Sequence, residues 1–297
     1  MTQSNSETCL IGFGEAGTAL AHGFAGNGFT AYDIQMDANG SVMRAAMQAH
    51  NVRPSDGIED ALSAAHVIFS VVTADQALTV ATAAAPHILP GALFFDCNSC
   101  APSTKLAASE IIEAAGGRYV DVAIMAPIES ARHQTPMLIA SPHAEDALAA
   151  MHALEMKVTK VGSNIGRAST IKMLRSVMIK GIEALTAECF RAACRAGVAD
   201  DVAASLDASQ TTKGWSDQAA YNLERMTTHG IRRAAEMREV AKTLQDLGID
   251  SHMTSGTIDW QAAYGAMGID VTDIAGLHQR VAAIEEHESA PNDQFNT

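Results

Sequence analysis

The sequence has few basic residues and no long hydrophobic run. Lysine and arginine together number 20, against 34 aspartates and glutamates, so the formal net charge is −14. Nucleic acids and anionic membranes bind proteins through basic patches, which this balance disfavours. No stretch approaches the roughly 18 consecutive apolar residues that a membrane-spanning helix requires. We therefore expect neither a nucleic-acid partner nor a membrane partner, and a small molecule as the substrate.

Cysteine is also scarce, with five residues in the chain. The first eight residues are mostly polar and carry no apolar targeting segment. An odd number of cysteines in a long chain without such a segment predicts a reducing, cytoplasmic compartment. Cys97 and Cys100 form a CxxC pair, but no second pair or nearby histidine pair completes a zinc set. We expect small buried thiols there and no metal site.

What the sequence does contain is apolar material for two cores: 47% of the 297 residues are hydrophobic. Up to about residue 163, short apolar runs alternate with alanine-rich helical stretches. Continuous apolar runs are typical of strands covered by helices on both faces, and the alternation predicts a doubly wound, mainly parallel α/β Rossmann domain over residues 1–163. The strands are predicted at residues 8–12, 30–33, 67–72, 93–96, 118–122, 137–140 and 157–161.

The second half has a different pattern. Residues 166–197 contain no proline and a single interior glycine, Gly181, which predicts one helix about 48 Å long at 1.5 Å per residue. Further helical patterns cover residues 217–226, 230–247 and 273–286. We therefore predict an all-α domain over residues 164–297.

A G-x-G-x-x-G motif follows the first predicted strand and opens the first helix. It consists of Gly12, Phe13, Gly14, Glu15, Ala16 and Gly17. In dinucleotide-binding folds the first glycine makes a tight turn, the second admits a pyrophosphate and the third allows helix and strand to pack closely. The N–H groups of the helix then face the phosphates. The motif predicts a dinucleotide site at residues 12–17.

Asp33 ends the second predicted strand, at the distance from the glycine motif where an acidic residue binds the adenosine ribose. A carboxylate there accepts hydrogen bonds from the ribose hydroxyls and repels a 2′-phosphate. Residues 34–36 include no arginine that could bind such a phosphate, and the nearest is Arg44. We therefore expect NAD as the cofactor rather than NADP.

Later strand ends supply further candidates, because ligands bind outside the carboxyl ends of parallel strands. Val72 and Thr73 close one such strand, and we expect their backbone groups to contact the cofactor. Asn98 and Ser99 follow the next strand, and we expect their side chains to contact the substrate. Asparagine and serine are also common in turns and helix caps, so a structural role for these two residues is an equal alternative.

These features together resemble the β-hydroxyacid dehydrogenase and 6-phosphogluconate dehydrogenase superfamily over nearly the whole chain. The resemblance rests on the glycine motif, the segment 96–102, Asp121 and the segment 166–172, while residues 229–237 resemble a less characterised branch. It implies that Lys172 is the general acid/base for hydride transfer. A lysine partly desolvated beside a nicotinamide can have its pKa lowered towards neutrality and can both accept and donate the proton.

Lys172, Ser176 and Lys180 follow at i, i+4 and i+8 on the long helix and share one face. Polar groups are costly to bury without a purpose, so we expect Ser176 and Lys180 to bind substrate; a solvated face is the alternative. Arg232 and Arg233 could add positive charge. Because adjacent helical residues point about 100° apart, only one of them is expected to face the substrate, and we assign this role to Arg232.

The sequence departs from the superfamily pattern at several positions. Ser176 replaces the usual asparagine, Ile179 stands where the decarboxylating branch has a glutamate, and Ala235 and Glu236 replace a lysine–aspartate pair. The loop that commonly binds a substrate carboxylate is Met125-Ala126-Pro127; proline has no N–H to donate. A conventional β-hydroxy acid and a decarboxylation are therefore not expected.

We conclude from the sequence that the chain is an NAD-dependent oxidoreductase that interconverts a hydroxyl and a carbonyl on a small polar or anionic metabolite. Two alternatives stay open: an imine reductase, against which the retained Lys172 argues, and a dinucleotide-binding sensor without turnover. The length of the long helix and the resemblance further predict a homodimer.

Overall fold

The computed structural model describes residues 7–24, 29–195, 197–208, 214–246 and 251–289. The chain forms two compact units, the first ending at Met173 and the second beginning at Leu174. The predicted boundary after residue 163 coincides with the end of the last strand. The first unit extends further because it also includes the first turns of the long helix.

The first unit is an eight-stranded sheet with helices. Its strands are β1 (Glu7–Ile11), β2 (Phe29–Tyr32), β3 (Val52–Pro54), β4 (Ala65–Ser70), β5 (Leu93–Asp96), β6 (Arg118–Ile124), β7 (Met137–Ala140) and β8 (Val158–Gly162). Its helices are α1 (Glu15–Gly23), α2 (Gln35–Ala49), α3 (Ile58–Leu62), α4 (Ala77–Ala84), α5 (Pro102–Ala114), α6 (Ile128–Ala131), α7 (Ala144–Ala153) and the start of α8 (Arg167–Arg195).

The strands lie in the order β3-β2-β1-β4-β5-β6-β7-β8, and only the β6–β7 pair is antiparallel among the strands that the structure describes. The prediction of a doubly wound, mainly parallel sheet is confirmed. The chain leaves β1 towards β2 on one side and later places β4 on the other side. This reversal opens a crevice at the carboxyl ends of β1 and β4, where such sheets bind ligands.

Both faces of the sheet are covered, as the continuous apolar runs predicted. Along β4 and β5, successive side chains enter two different hydrophobic clusters, Phe69 and Phe95 in one and Ile68 and Phe94 in the other. The rings of Phe69 and Phe95 stack with centroids 4.7 Å apart. Neither face of these strands is left to solvent.

The sequence analysis missed β3. This strand has three residues, pairs with β2 alone and contains Pro54, which cannot donate a ladder hydrogen bond. Only Val52 is buried in it. A segment this short has no periodicity, and its place at the sheet edge is fixed by the pairing with β2.

The second unit is all-helical among its described residues, which confirms that prediction. It contains the remainder of α8, then α9 (Ala199–Asp207), α10 (Trp215–Asp246), α11 (His252–Ala266) and α12 (Leu277–Ser289). Within the described parts of the chain no helix is both long and apolar enough to cross a membrane.

Two separate helical patterns were predicted where the structure has the single helix α10. The second predicted pattern begins at Gly230, which in the structure lies inside α10 and is closely approached by α11. A Cβ atom on Gly230 would lie 2.1 Å from the carbonyl oxygen of Gln261, and one on Gly265 would lie 2.3 Å from the backbone nitrogen of Ile231. The glycine is therefore explained by helix packing rather than by a helix end.

Candidate functional site

The turn between β1 and α1 needs glycine at its first and last motif positions. Gly12 has a φ of +101°, and a Cβ atom on it would lie 2.6 Å from the carbonyl oxygen of Val71. A Cβ atom on Gly17 would lie 2.2 Å from the carbonyl oxygen of Gly12. The turn therefore packs backbone against backbone, and it brings the end of β1 against the end of β4.

Gly14 is different, because it faces open space. Among the described residues, no heavy atom beyond its chain neighbours lies within 4 Å of the position that a Cβ atom on Gly14 would take. Gly14 caps α1 without a side-chain hydrogen bond, and the first N–H groups of a helix have no partner within it. A narrow backbone turn followed by open helical N–H groups fits the pyrophosphate of a dinucleotide.

Asp33 is tied directly to this turn. Its Oδ2 accepts the backbone N–H of Phe13 at 2.7 Å, and its Oδ1 accepts the backbone N–H of Gln35 at 2.9 Å. The carboxylate thus joins the end of β2 to the glycine motif, where a ribose would lie next to the pyrophosphate. Arg44 forms an ion pair with Asp56.

Asn98 clamps the ends of two strands. Its Oδ1 accepts the backbone N–H of Val72 at 2.7 Å, its Nδ2 donates to Oγ of Ser70 at 2.9 Å, and its backbone N–H donates to Oδ1 of Asp96 at 2.9 Å. The residue is 3% exposed. These bonds favour the structural alternative for Asn98. Thr73, one residue after Val72, is exposed.

Ser99 and Lys172, predicted separately, lie together in the first unit. The ammonium of Lys172 donates a hydrogen bond to Oγ of Ser99, and both residues are partly buried. Ser99 follows the carboxyl end of β5, and Lys172 lies in the second turn of α8. An ammonium and a hydroxyl in contact can pass a proton between them or hold a substrate oxygen.

A buried charged cluster lies between the carboxyl end of β5 and the middle of β6. Nζ of Lys105 lies 2.8 Å from Oδ1 of Asp96 and 3.8 Å from Oδ1 of Asp121, and all three side chains are 0% exposed. Burial lowers the pKa of the Lys105 ammonium, but the neighbouring carboxylates outweigh burial and hold that pKa above its ordinary value. The hydroxyl of Tyr119 donates to Oδ2 of Asp96 at 2.7 Å.

The sequence analysis did not single out Lys105, although a signal was present. Lys105, Ala108, Ser109 and Ile112 follow at i, i+3, i+4 and i+7 on α5, and all four are buried. A lysine on the buried face of a helix needs a charged partner. One partner, Asp96, lies on the strand before α5 and the other, Asp121, on the strand after it, so the sequence pattern alone does not identify them.

The second unit pairs the other predicted polar residues with acids. Lys180 forms an ion pair with Glu236, which also accepts a hydrogen bond from Arg232 at 2.6 Å. Lys180 and Ser176 are both buried, whereas the side chain of Arg232 is 45% exposed. The sequence analysis missed Glu236 as a partner of Lys180, because the two residues are 56 positions apart.

Arg233, the neighbour of Arg232, is the buried arginine of the two. Its guanidinium forms an ion pair with Glu183, whose Oε2 also accepts the amide N–H of Gln261 at 2.9 Å. The two adjacent arginines thus point to different acids, consistent with the angle between neighbouring helical side chains.

Cys97 and Cys100 are free, buried thiols. Burial raises the pKa of the Cys97 thiol to about 12, so it is neutral at physiological pH. Within the described residues, no three histidine, cysteine or acidic side chains are placed to hold a metal ion.

Two family models match the chain. Residues 7–187 match the NAD binding domain of 6-phosphogluconate dehydrogenase, and residues 193–264 match the domain of unknown function DUF1932. The first match spans more than half of the chain and includes the glycine motif, Asp33, Ser99 and Lys172.

Solved structures are similar over most of their length. A conserved hypothetical protein from Sinorhizobium meliloti 1021 is 34% identical, with 96% of this chain and 98% of that chain covered and a TM-score of 0.74. The conserved protein MTH1747, described as structurally similar to 3-hydroxyacid dehydrogenases, is 28% identical, with 88% and 97% covered and a TM-score of 0.69. A Mycobacterium tuberculosis 3-hydroxyisobutyrate dehydrogenase with L-serine is 14% identical, with 94% and 99% covered and a TM-score of 0.74, and shares the fold.

Proposed function

The chain belongs to the family of the 6-phosphogluconate dehydrogenase NAD binding domain, and on this basis we propose that it is an NAD(P)-dependent oxidoreductase. More specifically, it interconverts a hydroxyl and a carbonyl on a small polar or anionic metabolite, with NAD as the preferred cofactor. The observation that carries this proposal is the contact between Lys172 and Ser99 at the carboxyl end of β5, on the same sheet edge as the glycine motif.

The cofactor would be held by the residues at the ends of β1, β2 and β4. The turn at Gly12, Gly14 and Gly17 takes the pyrophosphate, Asp33 accepts hydrogen bonds from the ribose hydroxyls, and the backbone at Val72 and Thr73 lines the route to the nicotinamide. When bound, the nicotinamide supplies or accepts the hydride. The protein's own residues therefore need only bind the reactants and transfer a proton.

Lys172 acts as the general acid/base. In the direction of oxidation its neutral amine takes the proton of the substrate hydroxyl, and in reduction its ammonium gives that proton to the carbonyl oxygen. The Ser99 hydroxyl accepts a hydrogen bond from the Lys172 ammonium, so it orients the ammonium and can donate its own proton to the substrate oxygen. Asn98 supports Ser99, because its hydrogen bonds tie the turn after β5, which carries Ser99, to the end of β4.

Ser176, Lys180 and Arg232 are proposed as the substrate-binding residues of the helical unit. Lys180 and Arg232 both bind the carboxylate of Glu236, Lys180 as an ion pair and Arg232 through a hydrogen bond of 2.6 Å. Basic side chains gathered in a chain of net charge −14 favour a small anionic or polar substrate.

The loop Met125-Ala126-Pro127 disfavours a conventional 3-hydroxy carboxylate. The N–H of Met125 donates to the carbonyl oxygen of Pro136 at 2.9 Å, and Pro127 has no N–H. Within these three residues only Ala126 keeps a backbone N–H for a ligand. A carboxylate normally needs two or more donors, so we propose that this loop faces a different part of the substrate.

A substrate screen tests the proposed function. Purified protein is mixed with NADH or NAD and with panels of hydroxy acids, sugar acids, aldehydes and cyclic imines, and the absorbance of NADH is followed. Turnover of a hydroxyl or carbonyl compound supports the proposal. Turnover of imines alone would assign the chain to imine reduction, which the retained Lys172 disfavours. Tight NADH binding without turnover of any panel would instead support a dinucleotide sensor.

The preference for NAD gives the first prediction. NADH should bind more tightly than NADPH, because the Asp33 carboxylate repels a 2′-phosphate, and Asp33→Ser should shift the preference towards NADPH. Removing one repulsive charge pair at short range is worth about 1–2 kcal/mol, or about tenfold in affinity. Fluorescence titration with both cofactors measures the two dissociation constants. Asp37→Ser, which removes an exposed carboxylate on α2, is the control, and equal affinities in the unmodified protein would contradict the role of Asp33.

We also propose that the protein is a homodimer. The long helix α8 has exposed apolar side chains, among them Met178 and Ile179, which are 62% and 41% exposed. Exposed apolar groups on a long helix favour association with a second copy. Light scattering on the purified protein measures the molar mass directly, and a monomer at micromolar concentration would refute the proposal.

A further inference from the structure

Lys105 has no place in the reaction described above, yet it is one of the most costly residues in the molecule to bury. Its side chain is 0% exposed on the inner face of α5. Lysine is almost never fully buried unless it is paired, since removing an ammonium from water costs several kcal/mol. Its partners therefore indicate what this buried charge accomplishes.

The Lys105 ammonium connects two carboxylates on neighbouring strands. It donates to Oδ1 of Asp96 at 2.8 Å and to the carbonyl oxygen of Asp96 at 2.5 Å, and it lies 3.8 Å from Oδ1 of Asp121. Asp96 ends β5, and Asp121 is its register partner on β6. One buried ammonium thus holds together the carboxyl end of β5 and the neighbouring segment of β6.

Asp96 fixes the turn that carries Ser99. Its Oδ1 accepts the backbone N–H of Asn98 at 2.9 Å, which closes the turn directly after the strand. Because Ser99 is the next residue, the direction of its hydroxyl depends on this turn. The Lys105 ammonium donates to the same Oδ1 and to the carbonyl oxygen of Asp96, so it stabilises the turn through Asp96.

Asp121 fixes the start of the helix that carries Lys172. Its Oδ1 accepts the Ser169 hydroxyl at 2.5 Å and its Oδ2 accepts the Ser169 backbone N–H at 3.2 Å. A carboxylate at the first turn of a helix also interacts favourably with the helix dipole. Lys172 follows Ser169 by three residues, so it lies about one turn further along the same helix.

We propose that Lys105 is a positioning residue, which acts through Asp96 and Asp121 to hold Ser99 and Lys172 against each other. The inference rests on the proposed function of Lys172. One ammonium between two carboxylates fixes both the turn after β5 and the first turn of α8. Burial raises the pKa of the Cys97 thiol, which lies between Asp96 and Asn98 in the chain, and the ammonium groups of Lys105 and Lys172 both act to lower that pKa.

The competing explanation is that Lys105 only stabilises the first unit. The two explanations differ in what a mild disturbance of the cluster changes. Loss of general stability lowers the midpoint of unfolding without changing Lys172 in the folded protein. Loss of positioning changes the turnover number and the surroundings of Lys172 while NADH still binds.

The experiment uses two variants and a control. Lys105→Met removes the ammonium and keeps a side chain of similar length, and Ser169→Ala removes only the hydroxyl bond to Asp121. Ser109→Ala is the control, because Ser109 is a buried serine on the same face of α5 whose hydroxyl donates to the carbonyl oxygen of Leu106 at 2.7 Å within the helix. Each variant is measured in the full chain.

Two properties are followed. The first is the turnover number with the substrate found in the screen, together with the dissociation constant of NADH. The second is the rate at which trinitrobenzenesulfonate modifies Lys172, measured by peptide mass spectrometry. Lys160, which lies on the edge strand β8 and pairs with Glu145, is the internal reference. The second property needs no turnover.

Ser169→Ala should lower the turnover number about tenfold, the factor expected for one hydrogen bond to a charged group. Lys105→Met should lower it about 100-fold, as for a misplaced catalytic group. Both should leave NADH binding within the error of the control and increase the modification rate of Lys172 relative to Lys160. If Lys105→Met does not fold, Ser169→Ala decides.

Unchanged turnover and unchanged Lys172 modification in Ser169→Ala would overturn the proposal, and so would equal losses in Ser109→Ala. Failure of the proposed function is distinguishable. If the screen finds no substrate, the modification rates of Lys172 still establish or refute the positioning by Lys105.

Discussion

Lys172→Ala should lower the turnover number about 1000-fold and leave the dissociation constant of NADH nearly unchanged. General acid–base catalysis by one placed group contributes about 10²–10⁴-fold, and Lys172 is the amine that the structure places against Ser99. The proposed cofactor site lies at the ends of β1, β2 and β4, so removal of an α8 side chain should leave that site intact.

Steady-state kinetics with the substrate from the screen and fluorescence titration with NADH provide the two numbers. Lys160→Ala is the matched control, since it removes a partly exposed lysine of the same unit that pairs with Glu145 at 2.6 Å on the edge strand β8. A Lys172→Ala variant with the turnover number of the unmodified protein would refute the assigned mechanism. A large loss of NADH binding would instead move Lys172 into the cofactor site.

Gly17→Ala should lower the free energy of unfolding of the first unit by about 3 kcal/mol and abolish NADH binding in the affected turn. The added methyl group would lie 2.2 Å from the carbonyl oxygen of Gly12. Overpacking commonly costs about 1–3 kcal/mol, and a backbone atom cannot rotate away as a side chain can, which places this substitution at the upper end. Chemical denaturation followed by circular dichroism measures the change.

Gly14→Ala is the informative counterpart within the same motif. No described atom lies within 4 Å of its new methyl group, so the free energy of unfolding should change by less than about 1 kcal/mol, the usual effect at a helix cap. NADH binding should nevertheless weaken about tenfold or more, because the methyl group takes the space where a pyrophosphate approaches the backbone. Unweakened binding in Gly14→Ala would show that the dinucleotide does not use this turn.

The features that the sequence predicted well are those encoded in short segments. The tight turn at Gly12 and the close packing at Gly17 follow from a motif of six residues. The alternation of apolar strands with helices is likewise local, and the architecture that it predicted is confirmed. Ser99 and Lys172 are 73 positions apart in the sequence, and the sheet topology is what brings them into contact.

The features that the sequence did not reveal depend on distant partners. The three-residue strand β3 exists because β2 offers it an edge. Two helical patterns were predicted over residues 217–226 and 230–247 where the structure has the single helix α10, and α11 packs closely against Gly230 within it. Lys180 and Glu236 neutralise each other across 56 positions. In each case the determining group lies outside any window over which a periodicity can be measured.

The helix α8 belongs to two compact units, and this has an evolutionary consequence. Lys172 lies before Leu174, where the second unit begins, and so do Ser99, Ser169 and Asp121. A recombination joint within α8 just after Met173 would therefore keep the proposed proton-transfer residues Lys172 and Ser99 with the first unit. Under the proposed function, exchange of the segment after this joint would replace Ser176, Lys180 and Arg232 and leave Lys172 and Ser99 in place.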